Sequence, residues 1–403
     1  MMDLGLQQAL QAFMGCPTWG IYQAGEGRER NGQPVAVVTG SSSGVLADRL
    51  RSDGFTSVQG FALVPSATAT RWIIPIENRH LALSGLRLCM PSAAVARFLK
   101  QVLVAGTAIG WTGWARHKLL VASRQPLTIE SLVREVTGER HPVFALSLGT
   151  LGRFRKLAIQ VMRPDGEILG YVKLPMSEEA IDRVQQEAAV LERLSGFATL
   201  RAQIPRVLHA GKWGDSYILF QSAGPLTAAP IEFGPVYQDF LKKLSSVEMV
   251  EKPGLAVVDA VGARWRKAEV KLDSPWRALG GAALVRANHQ LERATVLCGI
   301  THGDFAPWNS RVSNGQLYVF DWELAQWQAP TGWDTFHFHV QVSNLLSRGR
   351  SRWFDLNHRK AERASFLLYL LNSTCICLEE ETPDCHIALG YRQHLLAKEL
   401  SEE

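Results

Sequence analysis

The most regular patterning in the chain begins at Val143. Leu157, Ile159 and Val161 alternate with polar or small residues, the period-two pattern of a half-buried strand. Arg163-Pro164-Asp165-Gly166 is a turn, and "EILGYVKLP" is the return strand of a hairpin. The segment "MSEEAIDRVQQEAAVLERLSG" then predicts a helix. Ser177 is its N-cap, Glu178 and Glu179 load its first turn, and Gly196 closes it. Ile181, Val184, Ala188 and Leu191 line one face. Another strand, Tyr217 onward in "YILFQSAGP", runs into a Gly-Pro break.

Beyond that break the pattern is mainly helical, in "PVYQDFLKKLSSV", "PWRALGGAALVRANHQLERATV" and a long C-terminal region. One hairpin interrupts it: "NSRVSNGQLYVFDWE" places Asn314-Gly315 between two short strands, the signal of a type I′ turn. Before residue 140 the pattern is less regular and reads as a small α/β unit. Pro34 to Gly40 and "RWIIPI" are strands, and "PSAAVARFLKQVLV" is a helix with Ser92 as N-cap. Val102 to Ala115 carries no charge and is flanked by Lys100 and by Arg116-His117-Lys118. Spanning a bilayer takes about 20 apolar residues, so it does not cross one. A buried helix or strand is the favoured reading, and contact with a membrane surface is the other.

Composition adds bounds. The 403 residues are 46% hydrophobic and 20% charged, which fits a globular chain of more than one domain. The net charge is +5, with both signs spread along the chain and no Lys/Arg-rich tail, so no nucleic-acid partner is expected. Six Cys in this length make no disulfide framework. Cys375, Cys377, Cys385 and His386 cluster, but their spacing is not that of the common zinc motifs, and ordinary buried thiols are expected. The N-terminus has neither a basic run nor a long apolar one, so a cytoplasmic protein without a signal peptide is expected.

The candidate chemistry lies in "THGDFAPWNS", residues 301 to 310. His302, Asp304 and Asn309 follow the spacing H-x-D-x-x-x-x-N, and Asp321 comes at the end of the following hairpin. Phosphoryl transfer needs a carboxylate that accepts the proton of an attacking hydroxyl, and Asp304 suits that role. It also needs hard oxygen ligands for Mg²⁺, which Asn309 and Asp321 supply. His302 and Trp308 would hold the loop in shape.

"HGDFAPWN" followed by "FDWELA" resembles the catalytic core of the aminoglycoside phosphotransferase and choline kinase family. The resemblance implies an α+β, protein-kinase-like two-lobe fold with a small β-rich N-lobe and a helical C-lobe. It implies ATP and Mg²⁺, with Asp304 as catalytic base and Asn309 and Asp321 as metal ligands. Glu323 matches an acidic residue often found after the metal aspartate, and Asp334 resembles a structural aspartate that begins a helix. Upstream, Lys173 in "GYVKLP" resembles the lysine that holds the nucleotide phosphates, and Glu187 the helix glutamate that pairs with it. Gly149 and Gly152 stand in the place of a phosphate-covering loop, and "LFQSAGP" in that of the hinge between lobes.

The match is not complete. "SLGTLGRF" is not a G-x-G-x-x-G, D-F-G and A-P-E are absent, and "QWQAPTGWD" departs from the family pattern after the metal aspartate. These departures point away from a regulated protein kinase and toward a small-molecule acceptor. "VVTGSSSGVLADRL" resembles the opening of short-chain dehydrogenases through Gly40 and Gly44, but Leu46 stands where a third glycine belongs.

The expected organisation is an additional N-terminal α/β domain over 1–138, an N-lobe over 139–222 and a helical C-lobe over 223–403. The expected activity is transfer of the γ-phosphate of ATP to a hydroxyl of a small molecule: a sugar, an amino alcohol or an aminoglycoside-like compound. Since the chain is net basic, a neutral or anionic acceptor is favoured. The alternative is a catalytically weak, kinase-like nucleotide-binding or scaffolding protein.

Overall fold

In the computed structural model, residues 4–15, 20–23, 35–39, 43–89, 94–111, 113–345 and 360–402 are described. The chain divides into two compact units. The first comprises Met1–Thr150, Phe154–Gln185 and Val207–Ala223; the second comprises Leu151–Arg153, Gln186–Arg206 and Gly224–Glu403.

The first unit is built on one sheet. Its strands are β1 (Gly20–Gln23), β2 (Val35–Thr39), β3 (Ser57–Val64), β4 (Trp72–Pro75), β5 (Lys118–Ser123), β6 (Val143–Ser147), β7 (Lys156–Met162), β8 (Ile168–Pro175), β9 (Val207–Trp213) and β10 (Ser216–Ser222). Their order is β1-β2-β5-β3-β4-β6-β7-β8-β10-β9. Only β1 and β2 run parallel; every other neighbouring pair is antiparallel. The helices before β6 are α1 (Leu4–Met14), α2 (Ser43–Ser52), α3 (Arg79–Leu86), α4 (Ala94–Ala108) and α5 (Thr128–Thr137).

The boundary expected at 138/139 falls inside this sheet. Strand β4 pairs with β6 through Trp72↔Ser147 and Ile73↔Leu146. The core is also shared across that point. Leu6, Leu10 and Phe13 of α1 pack in one cluster with Phe144, Leu157, Val172 and Phe220. Phe13 meets Phe144 edge-on at 5.2 Å, a favoured aromatic geometry. Helix α1 and strands β3, β4 and β5 therefore bury apolar side chains in one core with β6, β7, β8 and β10.

The hairpin of β7 and β8 forms as its alternation requires, with Gly166 at φ 91° in the turn. Helix α6 (Glu178–Ser195) follows, and Ala180 N–H donates to the Ser177 hydroxyl at 3.3 Å, the expected cap. Val184, Ala188 and Leu191 are buried as expected, whereas Ile181 is only half-buried.

Val102 to Ala115 departs from the buried helix or strand expected there. Residues 102–108 form the end of a surface helix, and 109–111 and 113–115 are turn and irregular chain. Val102, Ile109 and Trp111 are exposed, while Thr107 and Ala115 are buried. Leu103, Val104 and Trp114 pack on a small core of Ile74, Leu86, Cys89, Ala145 and Met162, which occupies only one side of α4. Val102 to Ala115 carries no charged residue, so nothing in its local pattern says which face is outward. The expected cap Ser92 and the motif residues Gly40 to Ser42 lie outside the described residues.

The second unit is mostly helical: α7 (Pro235–Ser245), α8 (Gly254–Ala268), α9 (Ser274–Leu291), α10 (Trp333–Leu345), α11 (Lys360–Glu380) and α12 (Cys385–Ser401). Trp265, Trp276, Ala283, Leu367, Leu371 and Leu395 anchor its core. It also holds strands that the helical reading of this region did not expect. β11 (Val250–Pro253), β12 (Thr295–Thr301) and β15 (Gln326–Pro330) form a three-stranded sheet in the order β11-β12-β15. The expected hairpin is β13 (Ser310–Ser313) and β14 (Gln316–Val319), with Asn314 at φ 50° and Gly315 at φ 72°. These positive φ values are those of a type I′ turn.

Because α1 fills the core under β6, β7, β8 and β10, a chain beginning at residue 139 is expected to be insoluble or molten. Comparing its near-UV circular dichroism and dye binding with those of the full chain checks this.

Candidate active site

The loop after β12 is set by one carboxylate. Asp334 sits in the first turn of α10 and is 2% exposed. Its Oδ2 accepts from the His302 backbone N–H at 2.7 Å and its Oδ1 from that of Gly303 at 3.0 Å. Burial raises the Asp334 carboxyl above its ordinary range, and the nearby His302 and the two N–H donors act against that rise. Gly303 has φ 82°, and a Cβ there would stand 2.2 Å from the Leu324 carbonyl oxygen. No other residue fits that conformation and that approach.

His302 is fully buried and joins the two ends of the site. Its Nδ1 accepts from Asp304 N–H at 3.2 Å, so Nε2 carries the proton and donates to the Phe320 carbonyl at 3.0 Å. Burial lowers its pKa, outweighing the neighbouring carboxylates, so the ring is neutral and structural. Phe320 N–H in turn donates to the Asn309 carbonyl at 3.1 Å, which brings the end of the hairpin beside the loop. Asp321, the next residue, is held at φ 71°, an uncommon conformation for a residue with a side chain. Gln203 supports the hairpin from outside, donating to Leu317 O at 2.7 Å and accepting from Val319 N–H at 2.8 Å.

Asp304 is the reactive candidate within this frame. Its side chain is 29% exposed, so it is open to a ligand. The Asn309 amide Nδ2 donates to Asp304 Oδ2 at 2.7 Å and to its backbone carbonyl at 2.9 Å. That orientation directs the Asn309 Oδ1 away from Asp304, as a cation ligand requires. On the other side, His337 Nε2 lies 2.9 Å from Asp304 Oδ1, and Tyr369 Oη lies 3.2 Å from His337 Nδ1. Asp304 as a carboxylate can only accept, so in a neutral His337 ring Nδ1 is left to accept from the Tyr369 hydroxyl, which burial keeps protonated. His337 therefore presents Nε2–H to the carboxylate. A cavity of about 10 Å³, room for one water at most, lies behind this pair between Asp334, His337, Tyr369 and Ser373.

His337 and Tyr369 were not found in the sequence. His337 follows Asp334 by three positions, which places both on one face of a helix. Tyr369 is carried by α11, about 30 residues later, and only the fold brings it there.

The remaining candidates divide between the units. In the first, Lys173 lies on β8 opposite Ala158 and Leu219 and is 9% exposed. Gly149 also belongs there: it has φ 68°, and a Cβ would stand 2.3 Å from the Lys156 carbonyl. In the second, Glu187 is fully buried on α6 and accepts from the Trp322 N–H at 3.4 Å. Gly152 lies there too, where a Cβ would stand 2.8 Å from the Glu380 carbonyl. Both glycines thus answer to the close approach of the protein's own backbone. Glu323 is half-buried beside Trp322. Among the described residues, no group of three or more His, Cys, Asp or Glu gathers as a metal-ligand set. Cys377 and Cys385 face each other at 2.7 Å between sulfurs, and both are free thiols.

No protein-family model matches the chain. No curated protein matches it either. Among solved structures, a thermostable mutant of the aminoglycoside phosphotransferase APH(4)-Ia in its apo form is 15% identical, covering 67% of this chain and 98% of its own, with a TM-score of 0.48. The GDP complex of wild-type aminoglycoside 2'-phosphotransferase-IIIa is 15% identical over 68% of this chain and 98% of its own, with a TM-score of 0.44. ADP-bound APH(2'')-Ib is 15% identical over 69% of this chain and 96% of its own, with a TM-score of 0.40. At these identities and scores, function is read from the chain's own residues.

Replacing Asp334 with Ala leaves two buried N–H donors without their acceptor and is expected to cost about 2–4 kcal/mol, measured by chemical denaturation. For His302 the sign follows from its lowered pKa. The unfolded ring takes up a proton below about pH 6.5 while the folded ring does not. The stability advantage of the wild type over His302→Gln is therefore full above that pH and shrinks as pH falls below it, as paired melting curves would show.

Proposed function

We propose that the chain is a phosphotransferase that moves the γ-phosphate of ATP, with Mg²⁺, to a hydroxyl group of a small molecule. The observation that carries the reading is the state of Asp304. It is a solvent-accessible carboxylate with each oxygen fixed by a separate donor, on a loop whose backbone is locked by Asp334. A general base needs this: its lone pairs held in one direction at low reorganisation cost.

In this reading Asp304 accepts the proton of the acceptor hydroxyl as that oxygen attacks the γ-phosphorus, whose bond to the β–γ bridging oxygen breaks to release ADP. Asn309, through Oδ1, and Asp321, through its carboxylate, would hold Mg²⁺, and their hard oxygen donors fit that ion. Bound there, the metal supplies charge neutralisation for the phosphates. Asn309 has a second task, keeping Asp304 in place through Nδ2. His337 holds the other carboxylate oxygen and so limits rotation of the base. The nucleotide-binding roles of Lys173, Glu187, Gly149 and Gly152 belong to the same proposal. The acceptor belongs to the class of sugars, amino alcohols and aminoglycoside-like compounds.

Two measurements test the reading. Incubation with labelled ATP, Mg²⁺ and a panel of hydroxylated small molecules is expected to show transfer that Asp304→Ala reduces by about 10³-fold or more. Equal, background transfer by wild type and variant would sink it. A thermal shift requiring ATP and Mg²⁺ together is expected for the wild type and for Asp304→Ala, and to be absent from Asp321→Ala. His337→Ala is expected to lower kcat about 10-fold to 100-fold with little change in KM, and His337→Gln, which keeps an N–H donor, to recover part of the loss.

A further inference from the structure

We propose that the outer face of α4 is a docking surface for an anionic membrane. The face is a stripe formed by Val95, Phe98, Leu99, Val102, Ile109 and Trp111, all exposed, with Phe98 at 64% and Ile109 at 85%. On a helix the spacing of Val95, Phe98, Leu99 and Val102 places them on one side, and Ile109 continues it a turn or two further on. Gly106 would leave a gap in the row, but Trp111 folds back over it. Its backbone N–H donates to the Gly106 carbonyl at 2.8 Å, and a Cβ on Gly106 would stand 2.4 Å from the indole ring. The stripe is thus continuous. The inner side of α4 already has its partner in the core beneath Leu103 and Val104.

Charge selects the occupant. Residues 71–124 contain eight Lys or Arg (Arg71, Arg79, Arg87, Arg97, Lys100, Arg116, Lys118 and Arg124) against one acidic residue, Glu77. From residue 78 to residue 129 there is no Asp or Glu at all. Arg79 opens α3, which packs beside α4, Arg87 caps its end, and Arg79, Arg87, Arg97 and Arg116 are all exposed. A second copy docked through this face would set cations against cations, a repulsive arrangement. A nucleic acid would satisfy the cations but leave the stripe in water. A bilayer rich in anionic lipid satisfies both: hydrocarbon for the stripe, headgroups for the arginines, and an interfacial depth suited to Trp111. The surface lies flat on the membrane, since no described helix is long and apolar enough to cross one. The inference is independent of the reaction proposed above.

Sedimentation of the full chain with vesicles tests it. Binding is expected to vesicles of phosphatidylcholine mixed with phosphatidylglycerol, to weaken with added salt, and to be lost with phosphatidylcholine alone. The variant Phe98→Asp/Ile109→Asp is expected to lose binding while keeping its melting temperature, because both side chains are exposed. Should that variant misfold, Arg97→Glu/Arg116→Glu is expected to lose binding by the charge route. No binding to either vesicle, equal binding to both, or equal binding by wild type and a folded variant would overturn the proposal. So would a concentration-dependent dimer of the wild type, seen by light scattering, that Phe98→Asp/Ile109→Asp dissolves.

Discussion

Everything around the candidate base depends on a buried carboxylate gripping two backbone N–H groups. An ionised Asp334 without partners at 2% exposure would be costly, and the amides of His302 and Gly303 are what make it tolerable there. The grip works in both directions. It fixes the start of α10 relative to the end of β12 and holds Gly303 in a conformation closed to other residues. The chain then leaves Gly303 in one direction only, which decides where Asp304 points. The Asp304 side chain is aimed by backbone geometry before any contact of its own is made.

The two histidines of the site show how one side-chain type can be given separate tasks by its neighbours. His302 accepts on one nitrogen and donates on the other, and its burial keeps it neutral, so it acts as a fixed strut between the loop and Phe320. His337 also has both nitrogens engaged, but one of them meets the exposed carboxylate of Asp304. Behind it the other nitrogen meets the Tyr369 hydroxyl, which burial keeps protonated. The polar groups form an ordered line from helix α11 to the loop, and each link determines the proton position of the next.

The loop of residues 301–310, the hairpin and α6 were legible in the sequence because their signals are local. Asn314-Gly315 requires a particular turn, Ser177 a particular cap, and the spacing of Asp304 and Asn309 a particular loop. What was not legible depends on distance along the chain. The three-stranded sheet of the second unit joins β11, β12 and β15, separated along the chain by helices or hairpins: β11 and β15, of 4 and 5 residues, are too short to show a period, and β12 buries its last residues in a run rather than in alternation. Tyr369 reaches the site through packing of α11, which no local pattern encodes. The surface position of α4 was missed for a different reason: both of its faces are apolar, so hydrophobicity could not tell inside from outside. The boundary at 138/139 followed a change in texture of the sequence, while strand pairing ran through it.

That continuity of the sheet bears on how the chain is made. Leu6 and Phe220 belong to the same buried cluster, although more than two hundred residues separate them. During synthesis the first helix emerges long before β10, and until then its apolar face has no finished surface to cover. The first unit cannot close its core until β10 has left the ribosome, so its core forms after the helix that lines it. A protein built in this way has an interval during synthesis in which Leu6, Leu10 and Phe13 lack the surface they cover in the folded chain.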